Sequence, residues 1–365
     1  MSILNKYAQL LVNYCVELQP GQRLFVQTST LAEPLVREIY REAIKAGGQM
    51  HVFFDFREKD RIFFEEANET QLTYVDPFFS TAIHEFDAYI HIRAPYNLRE
   101  TQSVDIKKAK IKKEAAADMW QTYFKRTGTR DLKRSLCQYP TIANAQEAGM
   151  SLEEYERFVY NACFLYADNP VDKWLEVRKY QQVIVDLLNQ KSKIRYRNEK
   201  FDISFNCGGR TWINSDGQTN MPSGEVYTSP VEDSVNGKIH FTFPAIRAGY
   251  TVEDATLWVK DGEIYKWEAK RGKSYLDEIF KIPGATRFGE AAIGTNRNIQ
   301  RMTRNILFDE KIGGTVHMAI GQSYHQAGGK NKSTIHWDMI TDMTQNGEIY
   351  ADDELIYKNG QFLFL

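Results

Sequence analysis

The chain has few cysteines, and they follow no pattern. Its 365 residues contain Cys15, Cys137, Cys163 and Cys207, and no two of them have the C-x-x-C spacing of a zinc knuckle. This excludes a disulfide framework and favours reduced thiols. We therefore expect a cytoplasmic protein.

Long apolar runs and an excess of basic charge are also missing. No run of about 18 apolar residues occurs, which predicts that no helix spans a membrane. Residues 1–20 lack the basic region and cleavage site of a secretory signal, so we expect no targeting segment. Lys and Arg total 46 against 48 Asp and Glu, and this balance argues against a nucleic-acid partner. The basic run at 107–113 (KKAKIKK) is interpreted as a solvated helix face.

Glycine motifs that bind phosphate are absent as well. No G-x-G-x-x-G follows a predicted strand, and Trp267 stands where the first glycine of a P-loop ending at 272–274 would be. A dinucleotide or nucleotide site therefore has no support. With 42% hydrophobic and 26% charged residues, the composition is that of a globular protein.

The first half of the sequence alternates between segments typical of strands and of helices. Residues 23–27, 50–55 and 88–93 are predicted strands, with helical material between them. This order indicates βαβ units and a mostly parallel sheet. We predict an α/β domain over residues 1–192.

The composition changes after about residue 193. Residues 193–205 alternate as in a single strand. Asp261-Gly262 and Asn359-Gly360 each lie between alternating runs, which is a strong hairpin signal. We predict a mainly antiparallel β (α+β) domain over residues 193–365.

One of the alternating segments, 333–340 (STIHWDMI), carries a histidine and an aspartate. His336 and Asp338 lie two residues apart and so point to one face of a strand, whereas Trp337 and Met339 point to the other. An imidazole nitrogen beside a carboxylate suits zinc, manganese, cobalt or iron. The pair equally fits a surface histidine that pairs with an aspartate, so this motif alone leaves both interpretations open.

A second alternating segment, 314–324 (GTVHMAIGQSY), also carries a histidine on one face of a predicted strand. His317 shares a strand face with Thr315 and Ala319, and Tyr324 lies in the loop that follows. A tyrosine hydroxyl can bind a metal ion or donate a hydrogen bond to an oxyanion. Taken singly, His317 also fits a structural histidine and Tyr324 a packing residue.

Two glutamates lie in turns that are rich in small residues. Glu225 follows Pro222 and Gly224, and Glu290 follows Gly289 and precedes two alanines. Small flanking residues indicate close packing around the carboxylate. An ion pair or a helix terminus would explain either glutamate equally well.

Six residues together match the metal ligands of a known peptidase family in type, order and approximate spacing. They are Glu225, Glu290, His317, Tyr324, His336 and Asp338. The phrases NMPSGEVYTSP, FGEAAIGTN, GGTVHMAIGQSY, STIHWDMI and PTIANAQEAGMSLEEYE are similar as well. The most specific features are the seven-residue step from His317 to Tyr324 and the H-x-D pair. The chain resembles the thermophilic-type metallo-aminopeptidases, the aminopeptidase T family, over essentially its whole length.

The resemblance implies a fold, a cofactor and an activity. An α/β amino-terminal domain would be followed by a β-rich catalytic domain with two divalent metal ions, whether zinc, cobalt or magnesium. The partners would be peptide substrates with a free amino terminus and a second copy of the chain in a homodimer. We expect the N-terminal peptide bond to be hydrolysed by a metal-activated water. Glu290 would relay the water proton, and Tyr324 would be a ligand or would stabilise the oxyanion.

Two alternatives remain open at this point. A mononuclear iron oxygenase would use two histidines and one carboxylate, which fits the H-x-D pair but leaves the two glutamates and Tyr324 without a role. A non-catalytic peptide-binding protein would retain the fold without a productive metal, although it has no chemical reason to keep all six residue types.

Overall fold

The computed structural model describes residues 1–365, which form two compact units. The first unit holds Met1–Lys173 and Gly217–Pro222, and the second holds Trp174–Asp216 and Ser223–Leu365. The predicted domain boundary between residues 192 and 193 stays a prediction.

The secondary structure follows the alternation in the sequence. The helices are α1 (Ile3–Gln9), α2 (Glu33–Lys45), α3 (Lys59–Glu66), α4 (Glu69–Thr73), α5 (Pro77–Glu85), α6 (Ile106–Ala115), α7 (Ala117–Thr129), α8 (Ile142–Glu147), α9 (Leu152–Ala162), α10 (Pro170–Leu188), α11 (Lys273–Ile279) and α12 (Ile306–Asp309). The strands are β1 (Arg23–Ser29), β2 (Gln49–Asp55), β3 (Ala88–Arg93), β4 (Lys133–Gln138), β5 (Lys193–Arg197), β6 (Asp202–Asn206), β7 (Ile213–Ser215), β8 (Asn220–Met221), β9 (Glu225–Thr228), β10 (Asn236–Phe241), β11 (Ala245–Arg247), β12 (Tyr250–Val252), β13 (Ala255–Lys260), β14 (Glu263–Glu268), β15 (Phe288–Gly294), β16 (Thr315–Gly321), β17 (His336–Asp342), β18 (Glu348–Ala351), β19 (Glu354–Lys358) and β20 (Gln361–Phe362). None of the helices combines the length and the hydropathy that crossing a membrane requires.

A parallel sheet forms the centre of the first unit. Its strand order is β2-β1-β3-β4-β8, and each neighbouring pair is parallel. Helices connect most of these strands, because a parallel pair needs a crossover connection. The predicted α/β fold with a mostly parallel sheet is confirmed.

The basic run at 107–113 lies on α6 and is less solvated than its charge predicts. Lys108 Nζ donates to the carbonyl oxygens of Phe64 and Glu65 at 2.7 and 3.1 Å. Lys112 Nζ donates to the carbonyl of Tyr74 at 2.9 Å. These carbonyls end or follow α3 and α4, where backbone acceptors lack helical partners. Two of the lysines therefore serve as caps for neighbouring helices.

Antiparallel sheets dominate the second unit, as predicted. An eight-stranded sheet has the order β14-β13-β10-β6-β5-β18-β19-β20, and a five-stranded sheet has the order β17-β16-β15-β9-β7. A further pair joins β11 and β12. Large buried side chains such as Tyr196, Phe205 and Trp337 belong to one continuous apolar core in this unit.

The predicted single strand at 193–205 is wrong, because the segment folds as a hairpin. Strands β5 and β6 pair antiparallel, with Lys193 opposite Asn206. At the turn, Asn198 Oδ1 accepts hydrogen bonds from the backbone amides of Lys200 and Phe201 at 2.8 and 3.0 Å. An asparagine side chain that replaces backbone acceptors in this way reverses the chain without a glycine.

The two glycine-containing turns are confirmed as hairpins. Asp261 and Gly262 connect β13 to β14, and Asn359 and Gly360 connect β19 to β20. All four residues have positive φ, between 48° and 82°. This is the backbone of a two-residue turn whose twist matches that of the flanking strands.

Candidate metal centre

One face of the five-stranded sheet carries five of the six predicted site residues. Glu225 lies in β9, Glu290 in β15, His317 in β16, and His336 and Asp338 in β17. Alternate residues of a strand share a face, so the intervening residues point to the opposite side. That side is apolar: Val316, Met318, Ile320, Trp337 and Met339 are all buried in the core.

Strand register brings the polar residues together and places small residues between them. Glu290 and Asp338 both pair with Ala319, one from each side. Glu225 pairs with Gly294. Because alanine and glycine occupy little volume, the face retains space between the carboxylates.

The polar side chains converge within short distances. His336 Nε2 lies 2.9 Å from Glu290 Oε2 and 3.5 Å from Asp338 Oδ1. His317 Nε2 lies 3.5 Å from Glu225 Oε2 and 3.7 Å from Glu290 Oε1. Glu290 therefore presents one oxygen to each histidine and occupies the middle of the cluster.

Three groups of these side chains have ligand atoms within 4.8 Å of one another. They are Glu225–Glu290–His317, Glu290–His336–Asp338 and Glu310–His317–Asp338. The first two groups share Glu290. A carboxylate that belongs to both groups would suit a site for two neighbouring metal ions.

Several polar atoms in the cluster are buried and make no hydrogen bond of good geometry. They are Glu225 Oε2, both ring nitrogens of His317, His336 Nε2 and Asp338 Oδ1. A buried polar atom without a partner costs free energy, and such groups are uncommon in folded proteins. Carboxylate oxygens and imidazole nitrogens together suit zinc, manganese, cobalt or iron. The residues present therefore fit a divalent metal ion.

A backbone carbonyl orients His336. Its Nδ1 lies 2.7 Å from the carbonyl oxygen of Gln322, so Nδ1 carries the proton and donates it. The other ring nitrogen, Nε2, then faces Glu290 and Asp338. The His336 side chain is 25% exposed, whereas that of His317 is 1% exposed, so the cluster opens to solvent at His336.

The cluster raises the pKa values of its two histidines and lowers the pKa of Glu290. Burial opposes the charge on His317, but the carboxylates of Glu290 and Glu225 outweigh it and raise the pKa of His317 to about 9. Asp338 and Glu290 likewise raise the pKa of His336 against the effect of burial. Burial by itself would raise the pKa of Glu290, but the two histidines hold it below the usual range. Without metal, both histidines are therefore charged at neutral pH.

The sixth predicted residue, Tyr324, lies in the loop after β16. Its ring centroid is 5.0 Å from that of His336 and 5.1 Å from that of Tyr227. The Tyr324 amide donates to Ser229 Oγ at 3.2 Å, and this hydroxyl donates to the carbonyl of Gly289 at 2.7 Å. The loop is thus tied to the residue before Glu290, and the structure brings Tyr324 to the edge of the cluster.

Two residues of the cluster were missed by the sequence analysis. Glu310 belongs to the third group of ligand atoms, and Lys311 Nζ lies 3.2 Å from Glu225 Oε1 and also contacts Glu310 Oε1. They follow α12 in a segment (FDEKI) without alternation or a recognised motif. No local signal separates them from the many exposed Glu–Lys pairs of the chain.

Gly224 fixes the position of Glu225, and we expect its replacement to be costly. Its φ is +115°, and a Cβ atom would lie 2.7 Å from Asn296 Cβ. We expect Gly224→Ala to destabilise the protein by about 2–4 kcal/mol and to weaken zinc binding, measured by urea unfolding and by chelator competition. Gly209→Ala is the control, because Gly209 also has positive φ (+76°) but open space around it. Equal losses for the two variants would contradict this role.

The chain is similar to known metalloproteases and aminopeptidases. The sequence model of the family described as thermophilic metalloprotease (M29) matches residues 1–362. Aminopeptidase 2 of Geobacillus stearothermophilus is 29% identical over 349 residues, which cover 88% of this chain and 84% of that protein. Aminopeptidase AmpS of Bacillus subtilis (strain 168) is 27% identical, with 99% of this chain and 98% of that protein covered.

A solved structure supports the fold assignment. Wild-type AmpT from Thermus thermophilus superposes with a TM-score of 0.84 and covers 99% of both chains at 20% sequence identity. At 20% sequence identity, this structural similarity is evidence for the fold alone. Because the family model spans nearly the whole chain, this protein belongs to the M29 family of thermophilic metalloproteases, as its motifs predicted.

Proposed function

We propose that this protein is an aminopeptidase that hydrolyses the N-terminal peptide bond of peptides with two divalent metal ions. The observation that carries the proposal is that two groups of ligand atoms share Glu290 and that each group includes buried atoms without a hydrogen bond: Glu225 Oε2 and His317 Nε2 in one, His336 Nε2 and Asp338 Oδ1 in the other. The names of the relatives, all of them aminopeptidases, support the substrate class.

The proposed ligands divide between two positions. Glu225 and His317 would hold one ion, His336 and Asp338 the other, and Glu290 would contact both. Glu310 lies close enough to His317 and Asp338 to add a further oxygen. When bound, divalent ions at such a site polarise a substrate carbonyl and lower the pKa of a nearby water. Zinc, cobalt and magnesium remain the candidate ions, and the two histidines favour a transition metal.

Glu290 is the proposed proton relay. The adjacent histidines outweigh burial and hold its pKa below the usual range, so it is ionised at neutral pH, as a proton acceptor must be. Its position in the middle of the cluster places it near the reacting atoms of a substrate held there. A carboxylate in this place would take a proton from water and pass it to the leaving amine.

Tyr324 and His336 lie where the cluster opens to solvent, and a substrate would enter there. The Tyr324 hydroxyl would donate a hydrogen bond to the oxyanion that forms on the substrate carbonyl, or would serve as a ligand. Tyr227 packs beside Tyr324, and the two rings provide an apolar surface for the first side chain of the peptide.

The test is hydrolysis of leucyl-p-nitroanilide by protein freed of metal with a chelator. We expect no release of nitroaniline from the metal-free protein and a return of activity when one divalent metal is added back. Zinc, cobalt, manganese and magnesium are added singly, and metal content is measured by mass spectrometry. Two ions bound per chain at full activity would support the two-metal proposal.

The same assay separates the alternatives. A single ferrous ion per chain, with turnover that requires an oxo-acid co-substrate, would favour an iron oxygenase. No release with any metal, on protein shown to be folded and loaded, would favour a non-catalytic peptide-binding protein. The homodimer and the cytoplasmic location stay predictions, and sedimentation of the purified chain tests the first.

A further inference from the structure

Lys311 places a positive charge inside the acidic cluster. Its side chain is fully buried, with 0% exposure. The ammonium nitrogen lies 3.2 Å from Glu225 Oε1 and is in short contact with Glu310 Oε1. Lysine is seldom fully buried unless it is paired, so this placement needs a reason.

The backbone, rather than the ion pair, fixes where Lys311 lies. Its carbonyl oxygen accepts a hydrogen bond from the amide of Asn296 at 3.0 Å, and its amide donates to the carbonyl of Phe308 at 3.0 Å. Asn296 Nδ2 in turn donates to the carbonyl of Ser223 at 2.9 Å. These bonds tie the Lys311 segment to the turn just before Glu225, so the ammonium group reaches a defined place beside that carboxylate.

The contact distinguishes the two oxygens of Glu225. Lys311 engages Oε1, whereas Oε2 faces His317 Nε2 at 3.5 Å and makes no hydrogen bond. The carboxylate can rotate about its last torsion, because such torsions are broad. An ammonium group that holds one oxygen leaves the other directed at the proposed metal position.

The charges of the cluster make this contact most important when no metal is bound. Four carboxyl groups, those of Glu225, Glu290, Glu310 and Asp338, converge here with only two histidines, His317 and His336. Buried carboxylates need compensating charge, and removing one partner of a buried pair leaves an uncompensated charge. Bound divalent ions would supply that charge, so the need for a lysine is greater in the metal-free protein.

We propose that Lys311 is a built-in cation that compensates the buried negative charge of Glu225 and Glu310 while no metal ion is bound. The inference rests on the proposed metal site, and it assigns a role to a side chain outside the ligand set. It predicts that the loss of Lys311 lowers the stability of the metal-free protein more than that of the metal-bound protein.

The test compares thermal unfolding of wild type, Lys311→Met and Lys311→Arg, each metal-free and saturated with zinc. Methionine has nearly the same length without the charge. For Lys311→Met we expect the metal-free Tm to fall by about 10 °C and the zinc-loaded Tm by less than half of that. The zinc-induced shift therefore increases, and the zinc Kd stays equal or becomes tighter. Lys311→Arg should keep the wild-type shift, even if its larger side chain lowers both Tm values.

A matched control removes an exposed lysine from an ion pair. Lys281 pairs with Glu278 at 2.6 Å, with both side chains 68% exposed, and Lys281→Met should leave both Tm values unchanged. Equal falls for metal-free and loaded Lys311→Met would show a packing role only and overturn the inference, as would failure of that variant to fold with zinc present. If zinc does not shift the Tm of the wild type, the proposed metal site fails, and this inference fails with it.

Discussion

Glu290→Gln is expected to lower kcat for leucyl-p-nitroanilide by about 10²–10⁴-fold at saturating metal, the range for loss of a general acid–base group. Glutamine keeps the shape of the side chain and one carbonyl oxygen, but it cannot accept the proton of the attacking water. The measurement is kcat at rising metal concentration, with bound metal determined on the same samples. Activity should stay low after the metal content has levelled off.

Glu225→Gln provides the matched comparison. Glu225 lies in the same cluster, 3.5 Å from His317 Nε2, and we propose it only as a ligand. Its variant should bind metal more weakly and should recover a larger part of its activity as metal is added. If Glu290→Gln at full metal content turns over at a near-normal rate, Glu290 is not the proton relay. If Glu225→Gln instead fails to recover at full occupancy, the relay belongs to Glu225.

Metal affinity is expected to rise steeply with pH up to about pH 9. Without metal, the neighbouring carboxylates outweigh burial, raise the pKa of His317 to about 9 and raise that of His336 as well. A histidine must lose its proton before it binds a metal ion. Each protonated histidine then weakens binding by about 10-fold per pH unit below its pKa. Over the range in which both are charged, the affinity should change by up to about 100-fold per unit.

Stability of the metal-free protein should show the opposite trend over that range. The pKa of His317 is raised from 6.5 to about 9. Its contribution to stability is therefore fully present below about pH 6.5 and is lost as the pH rises towards 9. Asp338 is buried, yet His336 and His317 hold its pKa below the usual range, so its contribution is present above about pH 4 and is lost in acid. We expect the metal-free protein to be most stable between these limits.

Titration calorimetry with zinc in buffers of different ionisation enthalpy measures the affinity and the number of protons released, and urea unfolding of the metal-free protein between pH 4 and pH 9 measures its stability. The number of protons released per chain should approach two near neutral pH and should fall as the pH approaches 9. His317→Gln is the control and should release one proton fewer. An affinity that does not change between pH 6.5 and 8.5 would show that the histidines are neutral in the metal-free protein.

Alternation within a strand predicted which side chains share a face at His336 and His317, but it did not place Glu225 and Glu290, which were predicted in turns and lie in β9 and β15. His336 and Asp338 are two apart, and their neighbours Trp337 and Met339 are buried on the opposite face. The resemblance to a family then joined five separate segments into one set. The structure brings the six predicted residues close to one another.

Segments that depend on a side chain replacing a backbone partner were harder to predict. Residues 193–205 alternate throughout, and the hairpin within them depends on the Asn198 side chain accepting two backbone amides. Lys108 and Lys112 lie in a run whose charge predicts a solvated face, and the carbonyls that they cap belong to a distant part of the chain. Alternation and charge do not report either kind of side-chain to backbone hydrogen bond.

The sequence by itself determined the fold class, the two hairpins with Asp-Gly and Asn-Gly turns and, through the resemblance to a family, a set of candidate site residues. These follow from local periodicity, from turn chemistry and from motifs of fixed spacing. Only the tertiary structure revealed that Glu290 lies between the two histidines, that Ala319 separates it from Asp338, and that Glu310 and Lys311 enter the cluster. Strand register and a loop held by Asn296 decide these contacts, because they join residues that are distant in the chain.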